Sequence, residues 1–131
     1  MEGLKTIPSS FGPNETMDRL EAAIRAKGMK IFSRIDHRAG AEEVGLDLLP
    51  TALLIFGNAQ TGTPLMKANQ TIGIDLPLKA LVWQDSAGKT WLSYNEPQWL
   101  AARHGMAAAV NPTTNAMAAA LGALSKSATE P

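Results

Sequence analysis

The sequence predicts an α+β domain: a mostly antiparallel sheet with helices packed on one face and a C-terminal helix. Three observations lead there. Segments with strand periodicity and segments with helix periodicity alternate along most of the chain. The alternation fails near Leu78–Tyr94, where two strand-like runs flank a short turn, so a purely parallel sheet does not fit. Finally, 131 residues suit one domain, read as 1–131, with a core over about 3–106 and an Ala-rich helix over about 112–126.

The elements follow in order. Gly3–Ser9 is short and extended, and Pro8 stops it. Gly12-Pro13-Asn14-Glu15 opens a helix, because proline's missing N–H is no loss at the first helical position. Met17, Leu20 and Ile24 form one apolar stripe, and Gly28 ends the helix. Met29–Asp36 alternates as a strand, with Met29, Ile31, Ser33 and Ile35 on one face. His37-Arg38-Ala39-Gly40 breaks that pattern, and Ala41–Val44 forms a helical turn. Thr51–Phe56 is nearly all apolar and reads as a central strand, ended by Gly57-Asn58.

Gly62-Thr63-Pro64 reads as a second helix start, with Thr63 as the cap of a short helix over Leu65–Asn69. Leu78–Asp85 and Lys89–Tyr94 are strands joined by Ser86-Ala87-Gly88, the length and composition of a hairpin turn. Glu96-Pro97 opens a helix that Gly105 closes, with Trp99 and Leu100 expected in the core. From Ala107 the composition turns Ala-rich. Thr113–Ser125 reads as a helix striped by Met117, Leu121 and Leu124, with frayed last residues.

Composition removes several function classes. There is no cysteine, which excludes disulfides, thiolate metal sites and cysteine nucleophiles. Twelve basic side chains balance twelve acidic ones. Lys27, Lys30, Arg34 and Arg38 sit among Glu21, Asp36, Glu42 and Glu43, so the basic footprint of a nucleic-acid binder is missing. The N-terminus has no basic segment followed by an apolar run, and no stretch approaches the roughly 18 apolar residues of a membrane span. The expectation is a cytoplasmic protein with neither a nucleic-acid nor a membrane partner.

The run Ile35-Asp36-His37, then Ala41 to Gly45, then Leu54-Ile55-Phe56-Gly57-Asn58 forms an ordered set with Gly62-Thr63-Pro64-Leu65-Met66, Asp75-Leu76-Pro77-Leu78 and Trp91-Leu92-Ser93-Tyr94-Asn95. In order and spacing this set resembles the domain-of-unknown-function family numbered 302, over roughly Lys5 to Met106. The resemblance implies a TATA-binding-protein-like α+β fold and a homodimer. The fold name implies nothing about DNA, since fold does not carry function. The family brings no assigned activity, so no catalytic residue is carried over.

Candidate site residues come from the strand ends. Asp36 and His37 are neighbours, and an imidazole titrating near ~6.5 suits acid–base work. On a regular strand, however, the two point to opposite faces. Asn58 and Thr63 lie near a helix start, where exposed N–H groups favour an anion. Tyr94 and Asn95 close the last strand, and the phenol can serve a pocket or simply pack at a sheet edge. His37 and His104, the two histidines, fall on different elements without metal-ligand spacing. His104 suits a helix C-terminus. There is no Gly-x-Ser-x-Gly elbow, P-loop or dinucleotide fingerprint. Trp83 and Trp91 read as a cross-strand pair.

These residues support a homodimer binding a small polar or anionic ligand through Asp36, His37, Asn58, Thr63, Tyr94 and Asn95, with no cofactor and no metal. One alternative is an acid–base enzyme using Asp36 and His37. Another is a structural or protein-interaction module whose Met117, Leu121 and Leu124 stripe covers a partner.

Overall fold

Alternating residues are buried along three strands: Leu54 and Phe56, then Leu78, Ala80 and Val82, then Leu92 and Tyr94. That parity turns one sheet face toward the helices. The computed structural model describes residues 1–106 and 110–131. Its strands are β1 (Leu4–Pro8), β2 (Lys30–Asp36), β3 (Thr51–Gly57), β4 (Leu78–Gln84) and β5 (Thr90–Asn95). They form one antiparallel sheet of five strands in the order β1-β5-β4-β3-β2. The helices are α1 (Pro13–Ala26), α2 (His37–Glu43), α3 (Ala59–Ala68), α4 (Pro97–Arg103) and α5 (Asn111–Thr129). A 3-10 turn, Gln70–Asp75, follows α3.

The first helix forms as the sequence predicts. Met17, Leu20 and Ile24 are buried, and Gly28, at φ 74, takes the left-handed conformation that ends helices. In α5, Met117, Leu121 and Leu124 join the same core as the sheet. The stripe therefore covers the chain's own interior, which removes the observation that favoured a partner-binding helix. The expected fraying is also absent: α5 runs to Thr129, Ala128 and Thr129 are buried, and the Ser10 N–H donates to the Thr129 carbonyl at 2.8 Å.

Other elements differ from the sequence reading. The single apolar face expected along Met29–Asp36 is broken by a bulge: Ile31 pairs with Phe56, but Ser33 pairs with Ile55, leaving Phe32 unpaired between them. Past the bulge the parity flips. Arg34 then stands beside α1, donating to Asp18 at 2.8 Å, and Ile35 turns to the opposite side. Thr51–Phe56 is interior, but β4 takes the middle of the sheet. His37–Gly40, read as a break, opens α2, because the Asp36 carboxylate caps it by accepting from the Ala39 N–H at 2.9 Å. Trp99, expected in the core, is 36% exposed. Residues 107–109, where the Ala-rich stretch begins, lie outside those described.

Candidate functional site

The Asn58 side chain starts α3, and Thr63 does not. Its Oδ1 accepts from the Thr61 N–H and hydroxyl, both at 2.9 Å. The helix therefore begins at Ala59, and Thr63 and Pro64 fall inside it. Sequence reasoning placed the cap five residues late, at Thr63 and not Asn58, because Thr63-Pro64 carries the same signature as a true start. Asparagine at the cap is equally effective.

A cavity of about 230 Å³ opens where the end of β3 meets α3 and the 3-10 turn. Phe32, Met66, Leu76, Pro77, Leu78 and Met117 supply apolar wall. Phe32 reaches it because the bulge re-aims its side chain. Gly62 and Gly73 keep the space open. A Cβ on Gly62 would stand 3.8 Å from both Leu76 Cδ1 and Met66 Cε, and one on Gly73 would stand 3.4 Å from Met66 Sδ. Asn58, Thr61 and Thr63 form a polar edge. The amide NH2 of Asn58 makes no hydrogen bond among the described residues, so it remains a donor for a ligand acceptor.

The other candidate residues do not gather here. Asp36 lines a separate groove with Arg34, Arg38 and the start of α1. The charges in that groove are already paired: Arg34 with Asp18 at 2.8 Å and Arg38 with Glu42 at 3.2 Å, while Asp36 holds its own helix cap. His37 is exposed and lines neither that groove nor the cavity. The Asp36–His37 pair thus lacks the shared cavity an acid–base site requires. Tyr94 is buried between β1 and α5, near Lys5, Ser125 and Thr129. Burial, aided by the charge of Glu96, raises its phenol above the ordinary value. Asn95 opens on the opposite side of the sheet, beside Leu4 and Trp83.

His104 ends α4, as its sequence position predicts, and gains partners that the sequence did not reveal. Its Nε2 lies 2.6 Å from Asp75 Oδ2, and its Nδ1 lies 2.8 Å from Thr71 Oγ1. Arg103 donates to both oxygens of Asp75, at 2.9 and 2.8 Å. Asn69 donates to the His104 carbonyl at 2.9 Å. This network binds the 3-10 turn, which forms part of the cavity wall, to the end of α4.

A family model described as "Domain of unknown function DUF302" matches residues 5–124. Among solved structures, the crystal structure of an uncharacterized conserved protein DUF302 from Bacillus stearothermophilus is similar with a TM-score of 0.87 at 25% identity, covering 98% of this chain and 99% of that one. Among curated proteins, the "Fluoride-specific ion channel FluC 1" of Brucella suis biovar 1 is 47% identical over 124 residues, 95% of this chain and 49% of that protein. The "Fluoride-specific ion channel FluC 2" of Brucella melitensis biotype 1 matches at 47% over 95% of this chain and 46% of its own length. The chain spans about half the length of the curated relatives it matches. Among the described residues, no helix is long and apolar enough to cross a membrane.

Proposed function

The chain belongs to the DUF302 family of domains of unknown function, and from that premise we propose that it is a homodimeric binder of a small molecule held in the cavity beside Asn58. The cavity itself carries the reading: apolar walls, an edge of Asn58, Thr61 and Thr63, and two glycines that leave room. Ligand sites combine mostly apolar lining with a few placed polar groups. At about 230 Å³ it falls below the roughly 300–1,000 Å³ of drug-sized sites, so it suits a short chain or a single ring. The wall composition also narrows the ligand. A wholly polar molecule gains little from Phe32, Leu76 and Met117. A mainly apolar one bearing a single acceptor, a carbonyl or carboxylate, places that acceptor at the Asn58 amide.

The test is a titration of single-ring and short-chain carboxylates followed by amide chemical shifts. Perturbations should cluster at Asn58, Gly62, Gly73 and Leu76. Gly62→Leu fills the space and should abolish them while the rest of the spectrum persists. Saturable shifts that survive in Gly62→Leu would place the ligand elsewhere.

A second reading comes from the curated relatives. Relatives named fluoride-specific ion channels carry a segment 47% identical to this chain in just under half of their length. On this reading the chain is a companion domain of a fluoride channel, and the remaining half of those relatives conducts the ion. Deleting its gene should lower the fluoride concentration at which the host stops growing, and unchanged tolerance removes this reading.

A further inference from the structure

The helices leave the other face of the sheet uncovered. Leu4, Leu53, Ile55, Leu81, Trp83 and Trp91 stand along it by strand parity, each part-exposed, while the residues alternating with them on β3, β4 and β5 enter the core. Trp83 and Trp91 sit directly opposite across β4 and β5, with rings stacked 6.0 Å apart.

Several polar groups on this face are already paired. Thr6 Oγ1 lies 2.8 Å from Ser93 Oγ, and the Trp83 indole N–H donates to Ser93 Oγ at 3.0 Å. The Trp91 indole N–H donates to Asp85 Oδ2 at 2.9 Å. Lys79 donates to the Pro77 carbonyl at 3.1 Å. Burying a polar group is costly mainly when it loses its partner. Covering this face removes apolar surface from water and strands none of these donors.

Strand register also places the charges. Lys79 lies opposite Ile55, and Lys30 lies opposite Gly57, so both fall toward one end of the sheet. A two-fold axis lying in the contact plane and running across the strands, near Leu53 and Leu81, carries the lysines of the two copies to opposite ends. With zero net charge, two copies meet no long-range repulsion. Strands spaced about 4.8 Å apart and rising about 3.3 Å per residue give a flat footprint of roughly 500 Å² per copy, about 1,000 Å² for the pair, which reaches the size a specific interface needs.

We propose that this open sheet face, centred on Leu53, Leu81, Trp83 and Trp91, is the self-complementary contact through which two copies of the chain associate. The inference rests on the homodimer reading above and names its surface. An isologous contact requires a patch that matches itself, and an apolar sheet face with its lysines confined to one end does so.

Sedimentation velocity on the full chain and on Leu53→Lys and Leu81→Lys tests it. Both positions are already part-exposed, and circular dichroism checks that each variant is folded. The wild type should sediment as a dimer and both variants at half its mass. A second measurement does not depend on the variants folding. In a Trp99→Phe background, the fluorescence of Trp83 and Trp91 should be shielded from acrylamide at dimer concentrations and become quenchable on dilution. A folded Leu81→Lys that stays dimeric, or tryptophans quenched freely within the dimer, overturns the assignment of this face and leaves the homodimer standing. A wild type that is monomeric at every concentration overturns both.

Discussion

Asp75 Oδ2 stands 2.6 Å from His104 Nε2, and this contact joins the 3-10 turn to the end of α4 across 29 residues of sequence. The His104 and Asp75 side chains are only 9% and 15% exposed, so the pair is shielded well beyond a surface ion pair. Asp75 also receives Arg103 on both oxygens.

Removing the carboxylate therefore strands the shielded His104 ring N–H, while Arg103, 52% exposed, turns to water. Asp75→Ala should destabilise the fold by about 1–3 kcal/mol, the range for leaving shielded polar groups unpaired. Asp75→Asn retains an acceptor and should lose less. Urea unfolding gives both values, and equal, negligible losses would mean that the network is decoration. Thr71→Val, at the exposed end, should lose less than Asp75→Ala.

Gly122 lies inside α5, and a Cβ built there meets nothing within 4 Å. Its backbone is helical, so alanine brings no strain and removes conformational freedom from the unfolded chain. Gly122→Ala should raise stability by about 0.5–1 kcal/mol. Thermal unfolding with a melting temperature at or below that of the wild type would show that the helix face is less open than the structure has it.

The parts of this fold legible in the sequence are those where one periodicity acts alone. The stripe of Met17, Leu20 and Ile24 needs only helical spacing, and the hairpin about Gly88 needs only turn chemistry. Where two local signals compete, the reading fails. Thr63-Pro64 imitates a helix start that Asn58 already provides, and the apolar alternation of β2 continues in sequence past a bulge that reverses it in space. The cavity is hidden for the same reason, since Phe32 enters its wall only through that bulge. The scattering of Asp36, His37, Tyr94 and Asn95 is a tertiary fact. Each lies at or beside a strand end, but the five-stranded sheet has two ends and two faces.

Asp85 anchors the β4–β5 turn. Its Oδ1 accepts from the Ala87 and Lys89 N–H groups at 3.0 and 2.9 Å, and its Oδ2 accepts from the Trp91 indole. The Trp91 bond first, then the Lys89 amide, holds its carboxyl below the ordinary 3.8. A lowered native value means that the ionised form stabilises the fold above pH 3.8, and this contribution disappears as the pH falls through the native value. Stability measured against pH should thus show an acid limb below 3.8 that is shallower in Asp85→Asn. An identical slope in the two proteins would detach the turn from acid unfolding.

Gly3 and Trp99 give the sharpest steric test. Gly3 takes φ +78, and a Cβ there would lie 2.3 Å from Trp99 Cδ2 and 2.5 Å from Cγ. The indole lies flat on the glycine, whose carbonyl accepts the Glu96 N–H at 2.8 Å just before α4 begins. Gly3→Ala meets two penalties. The left-handed backbone costs a side chain about 1–2 kcal/mol, and the ring must move aside. In Trp99→Ala the second penalty vanishes because the ring is gone. The double variant Gly3→Ala/Trp99→Ala should therefore be more stable than the sum of the single losses predicts, with a coupling of about 0.5–3 kcal/mol expected for residues in contact. Additive losses in chemical unfolding would mean that the ring leaves Gly3 without resistance and that the contact does not order the start of α4.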